Sequence, residues 1–356
     1  MEINVRNVNQ AFSEIFWHLK TLNLKPEETR NGPALVFPET VLTTYRYPCE
    51  RVLFDKKRDA NPVFHLMESI WMLAGRNDVS FLQQFNKRMI DFSDDTKVFN
   101  AAYGHRWRKH FGFDQIDEVI KLLRREPNSR QAVIQMWDSE DLHKKTKDKA
   151  CNTQIVFDIH NNRLNMTVFN RSNDIWWGAY GANAVHFSFL QEFVAAALSM
   201  HVGVYRQMSN NLHLYTELYD IGNYLSVPPN AKEYDYYSNG AVRPKPILLN
   251  SEYKLFLFEC ELFCQDPFNE RIRYANPFFW QVAHPLAMIS KMRKTGAGDG
   301  KYYAAKIPLR RRHFCTCVGR LPASQSISPT TTPLPSRGSL LSTMALSHPA
   351  MAWIRR

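Results

Sequence analysis

The sequence predicts an α+β fold in which strands gather in the middle of the chain and helices surround them. Three observations lead there. Apolar residues recur at helical spacing in several separate segments. Two strand-like runs, "CNTQIVFDIH" and "RLNMTVFN", flank Asn161-Asn162, a two-residue hairpin turn signal. From about Arg310 the composition shifts to Ser, Thr and Pro without acids, which predicts a disordered C-terminal tail.

The elements follow in chain order. Residues 7–22 carry apolar side chains at helical spacing, and 30–39 reads as a loop leading into a strand. Residues 61–75 form a predicted helix with Pro62 near its start and Gly75 at its end. The stretch 91–107 is irregular and aromatic, the composition of a site-forming loop. Residues 113–129 form an amphipathic helix stopped by Pro127. A strand over 130–137, a charged connection and the hairpin 151–170 make up the β section. Residues 183–201 read as a long, mostly buried helix, and 203–225 as a strand running into another helix. The runs "SEYKLFLFECELFCQDPF" and "NPFFWQVAHPLAMISKM" add a helical extension over 221–309. The chain therefore divides into one catalytic domain, 1–309, and a basic low-complexity tail, 310–356.

Composition narrows the function. Hydrophobic residues make up 44% and aromatics 13% of the 356 residues, enough for a sizeable core. The net charge of +11 suggests a nucleic-acid partner, but its distribution does not. Nine of the 45 Lys and Arg, and no acid, lie in 300–356; the 36 that remain face 34 acids, a net of +2. The body is nearly neutral, so no specific nucleic acid is expected. No apolar stretch reaches the length of a membrane span, and the N-terminus has no apolar signal core, so a cytoplasmic protein is expected. The six cysteines are dispersed, unlike a disulfide framework, and lack the paired spacing of zinc ligands, so no metal is expected.

A few residues carry chemistry. Cys151 stands at the start of a strand after a polar loop, and a nucleophilic cysteine needs a cation to favour its thiolate. If the hairpin turns at Asn161-Asn162, position 151 faces 172, which puts Arg171 beside Cys151 within a residue or so. Glu68 lies in mid-helix among apolar neighbours; turned inward, its pKa rises, as suits a proton donor or relay, and turned outward it is an ordinary surface carboxylate. Tyr103, His213 and Tyr215 are polar aromatics beside turn residues. Asp174 follows Arg171 at a spacing that also permits a surface ion pair.

Taken in order, "ESIWMLAG", "YGHRW", "SRQAVIQMW", the lone Cys151, "NRSNDIWWGAYGAN" and "HLY" resemble the signature blocks of the thymidylate synthase family, which includes the deoxypyrimidine hydroxymethylases. The resemblance spans residues 5–220. It implies a mixed sheet surrounded by helices and folate-dependent one-carbon transfer to C5 of a pyrimidine nucleotide, with 5,10-methylenetetrahydrofolate as donor. On that resemblance Cys151 attacks C6, Glu68 relays protons at O4 and Tyr103 helps remove the C5 proton. Arg171, Ser172 and Arg30 hold the 5′-phosphate, and Arg130 matches an arginine that the neighbouring subunit of a homodimer supplies. His213 and Tyr215 bind the sugar 3′-hydroxyl. Asp174 binds the pterin, and Trp176 or Trp177 packs on the folate. Asn183 reads the base: an amide donates to O4 and accepts from N3–H, as uracil requires, and it also suits the cap of the following helix.

Four departures bear on the product. The segment before Asn183 is one residue longer than in methylating members; Gln131 and "ACN" replace a second arginine and Pro-Cys-His; Ile90 stands where they have tryptophan; and a helical extension replaces their short closing tail. Choosing hydride over water at the C5 methylene requires water to be excluded. The expected product is dTMP or 5-hydroxymethyl-dUMP. A dCMP hydroxymethylase is the alternative within the family, and a non-catalytic nucleotide- or RNA-binding relative the alternative outside it.

Overall fold

Asn7 caps the first helix through its side-chain oxygen, which accepts from the backbone N–H groups of Asn9 and Gln10. Strand β1 (Glu2–Val5) precedes that helix, α1 (Val8–Leu22), and β2 (Ala34–Val36) and β3 (Val41–Tyr45) follow it. The structure, a computed structural model, describes residues 1–217, 221–247 and 252–296; the expected tail, 310–356, lies outside these. Helix α2 (Pro62–Leu73) has Asn61 as its cap and Pro62 in its first turn. Helix α3 (Val79–Phe85) comes next, and the stretch 91–107 is not wholly irregular: it ends in α4 (Tyr103–Arg108). Helix α5 (Gln115–Arg125) starts at Asp114, which caps Ile116 and Asp117.

The β section begins with β4 (Val133–Gln135). The hairpin β5 (Asn152–His160) and β6 (Arg163–Asn170) turns through Asn161 and Asn162 at φ 50° and 56°, the left-handed pair of a type I′ turn. After β7 (Asn173–Asp174), Ile175–Ala182 forms a π-helix leading directly into α6 (Asn183–Ala197). That helix is shorter than expected, because Ser199 takes a left-handed conformation and β8 (His201–Ser209) starts two residues later. β9 (Leu212–Tyr215), α7 (Gly222–Ser226), α8 (Ala231–Tyr234), α9 (Tyr253–Gln265) and α10 (His284–Thr295) complete the described elements.

Six strands form one mixed sheet in the order β1-β3-β8-β6-β5-β4, and β2-β9-β7 form a second. Helix α6 covers one face of the large sheet and packs on α2. Its fully buried Phe187, Leu190 and Phe193 meet a core that includes Ile155, Phe157, Met166, Val168 and Tyr205. The extension belongs to this same core: Phe256 packs on Phe193, Phe278 on Phe189 and Phe263 on Phe81. It therefore buttresses α2 and α6 from behind. No helix of the described residues is long and apolar enough to cross a membrane.

Close approach of backbones decides one glycine. A Cβ on Gly104 would stand 2.0 Å from the carbonyl oxygen of Met72, so α4 rests directly on α2. Gly104→Ala forces the two helices apart. It is expected to cost about 3 kcal/mol, read as a lowered melting temperature, and to displace the adjacent Tyr103.

Candidate active site

Hairpin pairing runs from His160 with Arg163 to Gln154 with Phe169, and then slips by one residue at Thr153, so that Asn152 faces Asn170. The slip is a β-bulge. Without it Cys151 would face Ser172; with it the backbone N–H of Arg171 donates to the Cys151 carbonyl at 2.9 Å. Arg171 then folds back: its Nε donates to the Ala150 carbonyl at 2.9 Å, and its Nη2 stands 3.9 Å from Cys151 Sγ. The guanidinium lies over Trp137 at 5.3 Å. On the other side the Tyr103 hydroxyl accepts from the backbone N–H groups of Cys151 (3.2 Å) and Asn152 (3.4 Å). Cys151 is half-buried, whereas Cys260 and Cys264 lie inside the core. Burial pushes the Cys151 thiol up; Arg171 opposes that, as does Arg30, while Asp148 adds to it. Burial also pushes the Tyr103 phenol up.

Helices α2 and α6 bring the second group together. Glu68 on α2 is mostly buried, and its Oε2 lies 3.0 Å from His186 Nε2 on α6. Asn183 is one turn before His186 on the same face. Its conformation is helical and the cap position belongs to Ala182, so its side chain does not cap α6. Instead its Nδ2 donates to Asn173 Oδ1 at 3.1 Å, and Asn173 Nδ2 donates to Ser209 Oγ at 3.0 Å. Gly178 makes room for this chain, since a Cβ there would come within 2.5 Å of Asn173 Oδ1.

The small sheet forms a third wall. Asp174 on β7 pairs with His213 on β9, two residues before Tyr215. His213 Nδ1 stands 2.8 Å from Asn211 Oδ1, and burial holds this imidazole below the usual range. The Tyr215 hydroxyl accepts from Asn31 Nδ2 at 3.2 Å, which anchors the exposed Arg30 beside it. Asp174 pairs with His213 two residues before Tyr215, and it lies three residues after Arg171, whose guanidinium meets Cys151, so Asp174, Tyr215 and Cys151 share one region. Asp174 Oδ2 accepts from the Trp177 N–H at 2.6 Å. Trp177 is 54% exposed, but Trp176 is in the core, with Phe12 at 5.9 Å and Tyr224 at 5.4 Å. The position offered to a flat ligand is therefore Trp177, and Trp176 is a packing residue. Arg130 is exposed just before β4, with no hydrogen bond to these residues among those described.

The thymidylate synthase family model matches residues 43–226. The chain belongs to the thymidylate synthase family. It is 43% identical over 310 residues to the deoxyuridylate hydroxymethyltransferase of Pseudomonas phage M6, covering 85% of this chain and 87% of that one. It is 39% identical over 191 residues, half of each chain, to the deoxyuridylate hydroxymethyltransferase of Bacillus phage SP01. It is also similar to the thymidylate synthase of Symbiobacterium thermophilum, at 30% identity over 43% of this chain and 59% of that one. This chain is accordingly a transferase.

The extra residue that the family resemblance places before Asn183 falls in the π-helix. The Asn183 N–H donates to the Gly178 carbonyl five residues back, the spacing that takes up an extra residue without turning the following helix. The kink at Tyr180 and Gly181 leaves the Trp176 carbonyl to Arg58, whose Nε and Nη2 donate to it at 3.1 and 2.8 Å. Arg58 is buried between the rings of Trp176 (5.2 Å) and Trp177 (5.0 Å). Sequence reading missed Arg58, Asn173 and His186. Only His186, a polar residue inside the apolar run 183–190, carried a local signal; Arg58 and Asn173 sit in polar runs that show none.

Three outcomes follow for this thymidylate synthase relative. Arg58→Ala removes two donors from the buried Trp176 carbonyl and should cost about 3 kcal/mol, with weaker nucleotide binding by calorimetry as Asn183 shifts. Because burial raises the Cys151 pKa, its alkylation by iodoacetamide should accelerate as pH rises past neutrality. Arg171→Met, by raising that pKa further, should slow alkylation at pH 8 about tenfold per unit of rise.

Proposed function

We propose that this enzyme transfers a one-carbon unit to C5 of dUMP and that water completes the transfer, giving 5-hydroxymethyl-dUMP. The observation that carries this reading is the half-buried Cys151, with the Arg171 guanidinium 3.9 Å from its sulfur. Cys151 adds to C6, which makes C5 nucleophilic. Arg171, Ser172 and Arg30 hold the 5′-phosphate, and His213 and Tyr215 the 3′-hydroxyl. Asn183, steadied by Asn173, reads O4 and N3–H; a carboxylate there would suit cytosine, so the amide favours dUMP over dCMP. Tyr103, whose hydroxyl accepts two backbone N–H bonds, assists removal of the C5 proton, and Glu68 relays protons at O4.

A carboxylate beside an open indole, Asp174 next to Trp177, fits a flat heterocycle bearing N–H donors, as the pterin of methylenetetrahydrofolate does. When bound, that co-substrate supplies the carbon at the oxidation level of formaldehyde. The hydroxymethyl outcome is supported by Ile90 in place of the tryptophan of methylating members and by the name of the M6 phage relative.

The site is completed by a second copy of the chain. The outer face of the large sheet carries Leu42, Val156, Phe169, Val204 and Met208, all half-buried in the single chain. Pairing two such faces covers them and allows Arg130 to reach the partner's phosphate. The homodimer acts in the cytoplasm, residues 1–309 forming its catalytic domain.

With dUMP, methylenetetrahydrofolate and ¹⁸O-labelled water, the product is expected to be labelled 5-hydroxymethyl-dUMP by mass spectrometry, without a rise in dihydrofolate absorbance. Formation of dTMP together with dihydrofolate would overturn the hydration reading. Absence of turnover, with nucleotide binding unchanged in Cys151→Ser, would overturn the enzymatic one.

A further inference from the structure

One buried group has no part in the reaction just described. His186 is 5% exposed, and its Nε2 stands 3.0 Å from Glu68 Oε2, yet the two are not aligned as a hydrogen bond. Nε2 has no hydrogen-bond partner among the described residues. A buried ring nitrogen left so costs free energy unless something else satisfies it. The His65 ring meets that of His186 edge-on at 6.1 Å; burial, His186 and Arg58 together hold His65 well below the usual histidine range, so it stays neutral. The carboxylate facing His186 is that of Glu68.

Two polar atoms 3.0 Å apart form the base of a triangle whose apex takes one water at about 2.8 Å from each. We propose that His186 is a catalytic residue: with Glu68 it holds and deprotonates the water that completes the hydroxymethyl group. This rests on the hydroxymethyl reading above. The placement follows from α6. Asn183 holds the O4 and N3 edge of the base, C5 adjoins C4, and His186 is one turn further along the same face.

The step balances. Water oxygen bonds to the methylene carbon on C5 as the C5–methylene π pair moves onto the C4 carbonyl. One water proton passes to His186 Nε2, and the imidazolium is stabilised by the Glu68 carboxylate. The enolate pair then forms the C5–C6 double bond while the C6–S bond breaks, and its electrons return to Cys151. The proton on His186 leaves to the released thiolate or to solvent.

The test compares wild type with His186→Leu and His186→Gln, using dUMP tritiated at C5. Tritium release reports carbon–carbon bond formation, product mass reports hydration, and added 2-mercaptoethanol captures an unhydrated methylene as a thioether. For His186→Leu, tritium release should stay within about threefold of wild type, hydroxymethyl product should fall about 100-fold, and the thioether should appear. The glutamine, which offers a polar group but no base, should fall between. In a folate-free measurement with dUMP alone, Glu68→Gln should shift the ¹⁵N resonance of His186 Nε2. Parallel loss of tritium release and product without thioether in both variants, unchanged product in both, or an unmoved resonance would each overturn the role of His186. Should wild type itself make no hydroxymethyl product, it is the underlying reading that fails.

Discussion

One extra residue in a strand governs the chemistry of this protein. The bulge at Thr153 shifts the β5–β6 ladder just where it ends, and the shift brings Arg171 to Cys151. Sulfur and guanidinium are thereby held by backbone hydrogen bonds of a sheet, which cost little flexibility, rather than by long side chains searching for each other. Burial alone would leave Cys151 an unreactive thiol; the adjacent cation counters it at the sulfur itself. The same backbone segment donates to Tyr103, so nucleophile, cation and phenol are set by one short piece of chain.

The π-helix before α6 has a comparable effect at Asn183. An extra residue in an ordinary helix would rotate everything after it by about 100°. Here the π-helix takes it up, and Asn183 still faces Asn173. The helix kinks at Tyr180 and Gly181, and Arg58 gives the Trp176 carbonyl two N–H donors from a distant loop. The bulge and the π-helix thus lie where the backbone can hydrogen-bond locally, next to Cys151 and Asn183.

The extension beyond Gly222 lies behind the site. Its phenylalanines pack on Phe189 and Phe193 of α6, which carries Asn183 and His186, and on Phe81 of α3, while α9 and α10 also contact α2, which carries Glu68. It holds those helices together from the core side. The buried Glu68–His186 pair is a polar spot in an otherwise apolar contact between α2 and α6.

Much of this was legible in the sequence because it depends on local rules. Asn161-Asn162 announces a type I′ turn, and Asn61-Pro62 a helix start, because these residues suit the required dihedrals. The hairpin turn alone put Arg171 within one residue of Cys151. Other features were not legible, since they depend on partners far away in the chain. No local pattern reveals that Gly104 rests on the Met72 carbonyl, that Trp176 turns into the core while Trp177 faces out, or that Arg58 satisfies a carbonyl 118 residues away. The chemical inventory (a thiol, carboxylates, amides and arginines in a recognisable order) was determined by sequence. Which of these groups face one another was decided by helix packing, because α2 and α6 meet only in the folded chain.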